Sequence, residues 1–358
     1  MQFVLAALLS AILFGASTPI GKLLLQTLPP FQLAGLLYIG AAMGVLPFLV
    51  LGRTSVRTSV SASVRIDVSD RKNKFRLAGA ICFGGVLGPV LLLMGLERAS
   101  GASVSMWLNL ELVATAVLGY LIFRDHLGRF GWMGVAGTIF ASVLLSWNQG
   151  MIGVTSLLFV TFACICWALD NHLTALIDTI TPSQSTFWKG LVAGTLNLII
   201  SFMVESYGKN LSTLLSALLV GIFAYGFSIS LYITAAQNLG TTRSQMIFAT
   251  APFFGVALSA LVLNESISSL QIGAALILAL SLVTLFLDRH SHVHAHEAVH
   301  HKHWHHHEDD HHTHPHSIQK EKSHGHWHRH ETVSHAHPHW PDIHHRHEGD
   351  PLEKSSER

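Results

Sequence analysis

The sequence predicts an all-α membrane protein of ten transmembrane helices, followed by a disordered tail. Apolar runs of about 20 residues, nearly free of charge, recur through residues 1–287, and about 20 residues is the length that a helix needs to cross the hydrocarbon core of a bilayer. Lipid offers the backbone no hydrogen-bond partners, so such runs form helices and not open sheets. The remaining residues are rich in histidine and charge, which is typical of a solvated segment.

Short polar or charged segments separate the predicted spans. The spans cover residues 3–25, 30–52, 77–96, 101–123, 129–147, 152–170, 186–206, 212–236, 243–263 and 268–287. The first run has no basic leading segment and is too long for the apolar core of a cleaved signal peptide, so we expect it to stay in the mature protein.

The charge of the loops predicts the orientation of the chain. With an even number of spans both termini lie on one side of the membrane, and positively charged loops face the cytoplasm. The side of the termini carries Arg53, Arg57, Arg65, Arg71, Lys72, Lys74, Arg76, Arg124, Arg129, Lys189 and Arg243, against Lys22, Arg98 and Lys209 on the other. The sequence therefore predicts a multi-pass protein of the cell (inner) membrane with both termini in the cytoplasm.

The chain repeats itself with an offset of 140 residues. Residues 101–127 can be laid on residues 241–267, so that Asp125 falls on Glu265. Each half holds five spans, an odd number, so the second half must be inverted relative to the first. Many secondary transporters are built from inverted repeats, because two such halves can open alternately to either side. The predicted organisation is a first repeat at 1–147, a second at 152–288 and the tail at 289–358.

Four stretches of the two halves carry a family resemblance. They are LLSAILFGASTPIGKLLL (8–25), LNLELVATAVLGYLIFRDHLG (108–128), ALDNHLTALI (168–177) and ATAPFFGVALSALVLNESISSLQIGAALIL (249–278). Over about residues 3–287 the sequence resembles the EamA-type permeases of the drug/metabolite transporter superfamily. The resemblance implies a secondary transporter of small solutes, and the chain has no phosphate loop, GxSxG or HExxH motif that would indicate an enzyme. Leu112 stands where a proline is usual, so we expect helix four to be less kinked than its counterpart at Pro252.

Glu111 is the first candidate for the transport pathway, because it lies near the middle of its span. A carboxylate at that depth is costly and normally faces a cavity or a partner. It could bind a cationic group or carry a coupling proton, or it could join helices as a packing contact. Trp107 is four residues away and shares its helix face, so a ring beside the carboxylate would suit an organic cation, unless it is only packed. Asn109 and Pro252 complete the candidate pathway.

Asp170 and Lys189 are a candidate ion pair, since they lie near the facing ends of two spans that a short loop joins. The pair would act as an inner gate or a clamp. The alternative is a snorkelling lysine and a water-exposed aspartate. The run Cys164, Cys166, Asp170 and His172 holds residue types that bind zinc or nickel, but its members do not share one helix face. A packed helix with a polar end is therefore the preferred interpretation.

The tail holds 24 of the 26 histidines, all between His290 and His347. It has too few aliphatic residues to bury a core. Its HxH and HH units can gather neutral imidazoles around Zn²⁺, Ni²⁺, Co²⁺ or Cu²⁺. The alternatives are pH or membrane-charge sensing and a plain solvated segment. The candidate ligands are His301, His303, His305, His306, His307, His311, His312, His314, His316, His324, His326, His328, His330, His335, His337, His339, His344, His345 and His347.

Three functions remain open at this point. The preferred hypothesis is an exporter of a small organic metabolite, zwitterionic or cationic, with a regulatory metal-binding tail, because the middle of the membrane offers Glu111 and no histidine. The second is a divalent metal exporter whose tail collects the ion. The third is a membrane-anchored metal sensor, although a sensor needs no inverted pair. The expected partners are the lipid bilayer, the solute and metal ions on the tail, with a homodimer left open. No cofactor is required, and no basic face indicates nucleic acid.

Overall fold

The computed structural model describes most of the membrane part of the chain and four segments of its tail. The described residues are 2–55, 71–123, 127–147, 150–175, 177, 182–204, 207–239, 247–287, 290–296, 300–306, 323–329 and 333–339. The helices form one compact unit, and the tail segments within Arg289–Trp340 form another.

Nine helices among the described residues are long and apolar enough to cross a bilayer. They are Gln2–Leu24, Pro30–Leu49, Lys72–Arg98, Gly101–Leu121, Arg129–Trp147, Gly150–Thr174, Ser183–Val204, Leu211–Tyr232 and Ser269–Leu287, numbered here spans 1–8 and 10. Span 9 is the shorter apolar helix Ala251–Val262, and residues 243–246 of the predicted ninth span lie outside the described residues. The predicted all-α membrane fold is confirmed.

Several spans are interrupted helices. The α-helical segments are Gln2–Gly15, Ser17–Leu24, Pro30–Ser55, Arg71–Ala80, Gly88–Arg98, Gly101–Trp107, Leu110–Leu118, Arg129–Trp147, Gly150–Ala175, Pro182–Val204, Leu211–Val220, Ser228–Leu239, Ala251–Val262 and Ser269–Leu287. π-Helical turns at Ile81–Leu87, Gly119–Phe123 and Gly221–Phe227 interrupt spans 3, 4 and 8. Such turns are rare, and they are frequent at functional sites.

The two halves share their irregular segments. The π-helical turn Ile81–Leu87 of span 3 begins 140 residues before the turn Gly221–Phe227 of span 8, which is the offset of the sequence repeat. Spans 4 and 9 are also broken at related places, by turns at 108–109 and 249–250. Two copies of one five-helix repeat are expected to have helix breaks at matching positions. The inversion of the second half stays a prediction.

The break in span 4 forms without a proline. Leu112 predicted a straighter helix, yet span 4 turns as span 9 does. The Asn109 Nδ2 atom donates a hydrogen bond to the Met106 carbonyl at 3.0 Å, and in the other half the Thr250 hydroxyl donates to the Ile247 carbonyl at 2.6 Å. Polar side chains that bind nearby carbonyls compete with the regular helical bonds. Each break therefore has a side-chain hydrogen bond beside it, and span 4 breaks without a proline at Leu112.

Glycines bring span 2 into close contact with span 8. A Cβ atom on Gly40 would lie 2.8 Å from the Cα atom of Gly221, and one on Gly44 would lie 3.0 Å from the Cα atom of Gly226. Neither position has room for a side chain, so the small residues let the two backbones approach each other. This contact joins the two halves of the chain.

The tail contains four strands in two antiparallel pairs. Strand β1 (His290–His296) pairs with β4 (Val333–His339), and β2 (His300–His306) pairs with β3 (Ser323–Arg329). The sequence predicted a disordered tail without a core, and the strands amount to two short ribbons. The alternation of histidine with other residues has the two-residue period of a strand, which accounts for this local pairing. Two-stranded ribbons are marginally stable in water at best, so these pairs do not amount to a folded core.

Candidate transport site

Glu111 lies just after the break in span 4, in the first turn of the segment Leu110–Leu118. It is partly buried, and its Oε1 atom accepts a hydrogen bond from Asn171 Nδ2 of span 6 at 3.0 Å. The charges of Asp170 and Lys189 act on it as electrostatic neighbours. A carboxylate has more acceptor sites than one amide donor fills. Glu111 can therefore accept a further hydrogen bond from a bound solute.

An aromatic cluster from both halves lies within electrostatic range of this carboxylate. The Phe14 ring centroid lies 5.9 Å from that of Tyr225 and 5.3 Å from that of Phe248. Tyr225 lies 6.0 Å from Tyr38, and Tyr232 lies 5.1 Å from Phe248. Tyr38 and Tyr232 are electrostatic neighbours of the carboxylate. These five residues are called the aromatic cluster below, and aromatic faces beside a carboxylate suit an organic cation.

Trp107, which the sequence grouped with Glu111, lies directly before the break in span 4. It is fully buried, and its indole nitrogen donates a hydrogen bond to the Ser142 carbonyl of span 5 at 3.1 Å. The turn at 108–109 lies between Trp107 and Glu111, so their four-residue spacing does not follow one continuous helix. The indole is thus packed against span 5, and its role in the pathway stays a prediction.

Asn109 and Pro252 lie at the breaks of spans 4 and 9. Asn109 is buried, and its Oδ1 atom has no hydrogen-bond partner within the described part of the chain. Pro252 is partly buried and is the second residue of the segment Ala251–Val262. A buried oxygen without a partner costs about 1–3 kcal/mol, so a donor from a bound molecule would be favourable there. Their role in the pathway stays a prediction.

Asp170 and Lys189 form the ion pair that the sequence suggested. The Lys189 Nζ atom lies 2.6 Å from each carboxylate oxygen, and the Thr174 hydroxyl donates to Asp170 Oδ1 at 2.9 Å. The Lys189 side chain is only 17% exposed and the Asp170 side chain only 8%. A shielded pair with two contacts is strongly coupled, unlike a surface pair. Whether it acts as a gate stays a prediction.

The π-helical turn of span 3 packs onto this ion pair. A Cβ atom on Gly84 would overlap the Asp170 carboxyl group, so glycine allows the close approach. The Gly84 carbonyl accepts hydrogen bonds from the Tyr38 hydroxyl and from Trp167 Nε1. Since Tyr38 also belongs to the aromatic cluster, the ion pair, the π-helical turn and the cluster form one connected network beside Glu111.

A second polar contact joins the halves at the other end of span 4. The Glu265 carboxylate accepts hydrogen bonds from the backbone nitrogens of Gly101 at 2.8 Å and Ala102 at 3.0 Å. The sequence marked Glu265 only as the repeat partner of Asp125, which lies outside the described residues. A carboxylate at a helix N-terminus satisfies free N–H groups and is favoured by the helix dipole. Glu265 therefore caps span 4 from the loop between spans 9 and 10.

We expect Glu265→Gln to lower the melting temperature of the purified protein, because it removes the charge from this cap, which is worth about 0.5–2 kcal/mol. Glu97→Gln is the matched control, since the Glu97 side chain is 47% exposed and pairs with Arg98 at the surface. Thermal unfolding in detergent measures both variants. Equal melting temperatures for the two variants would contradict the capping role.

The cysteine run of span 6 has the expected packed character. Cys164 and Cys166 are buried, and His172 Nε2 lies 3.1 Å from the Thr115 carbonyl. Within the described ranges, no group of three or more His, Cys, Asp or Glu side chains is placed to hold a metal ion. The structure thus brings these residues into helix contacts with span 4.

The predicted metal ligands of the tail fall into two groups. His301, His303, His305, His306, His324, His326, His328, His335, His337 and His339 lie on strands β2, β3 and β4. His307, His311, His312, His314, His316, His330, His344, His345 and His347 lie outside the described residues.

The helical fold is that of a multi-pass membrane protein. The model of the EamA-like transporter family matches residues 1–147 and again residues 154–287, and the chain belongs to this family. The predicted membership among the EamA-type permeases of the drug/metabolite transporter superfamily is thus confirmed, and the protein is a multi-pass membrane protein.

Named relatives agree with this assignment. The chain is 25% identical to an uncharacterized transporter of Methanothermobacter thermautotrophicus, over 73% of this chain and 79% of the relative. It is 24% identical to a probable amino-acid metabolite efflux pump of Salmonella typhimurium, over 78% of this chain and 93% of the pump. A solved crystal structure matches with a TM-score of 0.56 at 15% identity, over 79% of this chain and 97% of that one, which shows the fold alone.

Proposed function

We propose that the protein exports a small organic metabolite that carries an amino group, such as an amino acid or a drug-like cation. The observation that carries this proposal is the Glu111 carboxylate in the middle of span 4, with acceptor sites to spare and the aromatic cluster within electrostatic range of it. The amino-acid metabolite efflux pumps among the relatives support an organic solute.

The residues around the site suggest how transport proceeds. The ammonium group of the solute binds Glu111, and the aromatic cluster contacts its cationic and apolar parts. The Asp170–Lys189 pair closes the end of the site near the loop between spans 6 and 7, and the Glu265 cap closes the opposite end. Opening the two ends in turn moves the solute across the membrane, as in other transporters with inverted repeats.

Solute flux into proteoliposomes tests this proposal. The purified protein is offered labelled amino acids, organic amines, Zn²⁺ and Ni²⁺ in separate assays, with protein-free liposomes as the control. We expect accelerated exchange of at least one solute with an amino group. Flux of metal ions alone would contradict the organic-solute proposal and favour metal export.

The histidines of the tail favour a second role, since their number and spacing suit divalent transition metals. We propose that the tail binds such ions and regulates transport. The alternative is that it collects ions for a metal exporter. Both depend on the orientation, because the tail acts on cytosolic metal only if it lies in the cytoplasm.

A reporter fusion tests the orientation. An enzyme that is active only outside the cytoplasm, fused after Arg289, should give no signal, because the loop charges place the C-terminal side in the cytoplasm. The same reporter fused in the loop after span 3, at Ser100, is the positive control. A strong signal from the fusion at Arg289 would overturn the predicted orientation.

Deleting residues 290–358 should leave the ten helices and the transport activity intact, because the tail segment Arg289–Trp340 forms a compact unit of its own. We expect the truncated protein to transport the organic solute at close to the full-length rate and to lose any response to Zn²⁺ or Ni²⁺. If the tail instead feeds a metal exporter, truncation should slow metal efflux at low metal, and saturating metal should restore it. Unchanged metal sensitivity of organic transport would contradict the regulatory role.

A further inference from the structure

Two successive residues near the end of span 6 contact one face of span 4. The Asn171 Nδ2 atom donates a hydrogen bond to Glu111 Oε1 at 3.0 Å, and His172 Nε2 lies 3.1 Å from the Thr115 carbonyl oxygen. Glu111 and Thr115 are four residues apart within the continuous segment Leu110–Leu118, so they lie on the same side of that helix. Asn171 is thus held against span 4 at the level of the candidate carboxylate.

The residue before Asn171 is held in place as well. The two carboxylate oxygens of Asp170 each lie 2.6 Å from the Lys189 Nζ atom, and the carboxyl group is packed against Gly84 of span 3. Both chain neighbours of Asn171 therefore have fixed contacts, although the Asn171 side chain is itself exposed. An amide on a fixed backbone loses little further freedom when it binds a ligand, and this favours binding.

The hydrogen bond to Glu111 also determines which way the Asn171 amide faces. An ionised carboxylate only accepts hydrogen bonds, so the NH₂ group of the amide must face it. The amide oxygen Oδ1 is bonded to the same carbon atom as Nδ2, and it therefore lies close to the same carboxylate. Amide and carboxylate oxygens each have two lone pairs. The two side chains thus offer hydrogen-bond acceptors from two helices at one place.

A primary ammonium group matches this arrangement. It carries three N–H donors, and it can donate to a carboxylate oxygen and to an amide oxygen at the same time, with N···O distances of about 2.7–3.0 Å. Each methyl group on the nitrogen removes one donor, and a quaternary ammonium group has none. An aromatic face attracts both kinds of cation, whereas acceptors select the cation that has N–H groups. A site built to form hydrogen bonds rejects an analogue without them, because its polar atoms are then left unpaired.

We propose that Asn171 and Glu111 together form a subsite for a primary ammonium group, in which the carboxylate supplies the charge and the amide oxygen a second acceptor. This inference rests on the proposed function, and it specifies the solute class as primary amines and amino acids in preference to N-methylated and quaternary cations. Asn171 is then a specificity-determining residue that contacts the solute. The neutral amide suits this role, because it adds an acceptor without a second negative charge.

A methylation series tests the specificity of the wild-type protein in proteoliposomes. The labelled probes are leucine and 2-phenylethylamine, each with its N-methyl, N,N-dimethyl and N,N,N-trimethyl derivatives. We expect the initial rate of exchange at low solute concentration to fall along the series, by at least about 10-fold from the primary to the quaternary cation. Equal rates along the series would overturn the inference.

Asn171→Leu separates contact with the solute from contact with Glu111. Leucine has a similar size and no polar group, so we expect the KM for the primary amine to rise by about 10-fold and the exchange of the N,N,N-trimethyl derivative to stay nearly unchanged. Gln26→Leu is the matched control, since it removes an exposed amide from the turn after span 1, and it should keep the wild-type preference. Equal losses for both probes in Asn171→Leu would show that Asn171 only positions Glu111, which contradicts the inference.

The same probes separate this inference from the proposed function. If Glu111→Gln slows every probe while the wild-type protein exchanges primary and quaternary cations equally, the proposed function stands and the inference is wrong. Exchange of none of the probes would overturn both. The wild-type series decides the inference alone if Asn171→Leu does not insert into the membrane.

Discussion

Glu111→Gln is expected to reduce transport by about 10- to 100-fold, with insertion into the membrane unchanged. The substitution keeps the shape of the side chain and its hydrogen bond to Asn171, but it removes the charge that attracts an ammonium group. Hydrogen bonds to charged groups contribute about 1.5–3 kcal/mol, and about 1.4 kcal/mol corresponds to a tenfold change. Initial rates of solute flux in proteoliposomes measure the loss.

Glu97→Gln provides the control for this experiment. Glu97 lies at the end of span 3, and its side chain is 47% exposed. Glu97→Gln therefore changes the net charge by the same amount as Glu111→Gln and leaves the candidate site unaltered. It should transport at close to the wild-type rate. If Glu111→Gln transports as fast as this control at every pH tested, Glu111 is a packing residue and the proposed site is wrong.

Breaking the Asp170–Lys189 pair should have the largest effect on stability. Asp170→Asn or Lys189→Met leaves one charge in a shielded place without its partner, which costs about 3–5 kcal/mol in comparable pairs. We expect each single variant to unfold at a lower temperature and to transport poorly. The double variant should recover part of the loss, because it leaves no unpaired charge. Thermal unfolding and flux are measured for all four combinations.

The surface pair of Arg98 and Glu97 is the matched control for this cycle. Its atoms are 3.0 Å apart, but its side chains are 42% and 47% exposed, so the coupling should be about 0–1 kcal/mol. One result would contradict this expectation: the losses of stability in the two single variants at Asp170 and Lys189 simply add up in the double variant, with no more coupling than in the control pair. That result would show that the close contact contributes nothing to stability.

The spans were predictable because hydrophobicity is a local property of the sequence. A run of about 20 apolar residues must become a helix in lipid, and all ten predicted spans contain described helical residues. The break in span 4 was harder to predict. Leu112 in place of a proline predicted a straighter helix, whereas span 4 turns at 108–109, where Asn109 donates a hydrogen bond to the Met106 carbonyl.

The candidate site was predictable only in part. Glu111 was identifiable because a carboxylate in an apolar run is costly, and the pair of Asp170 and Lys189 because a short loop joins the helices that carry them. The aromatic cluster was not identifiable, since its members come from spans 1, 2 and 8 and from the residues before span 9. No spacing along the chain relates Phe14 to Tyr225, and only packing brings them together.

The strand pairs of the tail do not follow from its composition. The alternation in His301–His305 has the period of a strand, but the low content of aliphatic residues argued against any fold. Pairing across the tail depends on a partner far along the chain, for example His324 opposite His305, 19 residues away, or His335 opposite His294, 41 residues away. The composition of the tail therefore predicts metal binding, and it does not predict which residues pair across the strands.

The central claim is that Glu111 binds the amino group of an organic solute during transport. The most direct measurement compares, in the same proteoliposomes, the exchange of a labelled amino-group solute with that of its N-acetylated counterpart, which has a similar body and no positive charge. We expect rapid exchange of the amino-group solute and at least about 10-fold slower exchange of its N-acetylated counterpart, because the counterpart lacks one charged contact. Equal exchange of the two solutes, or exchange of Zn²⁺ in place of both, would contradict it.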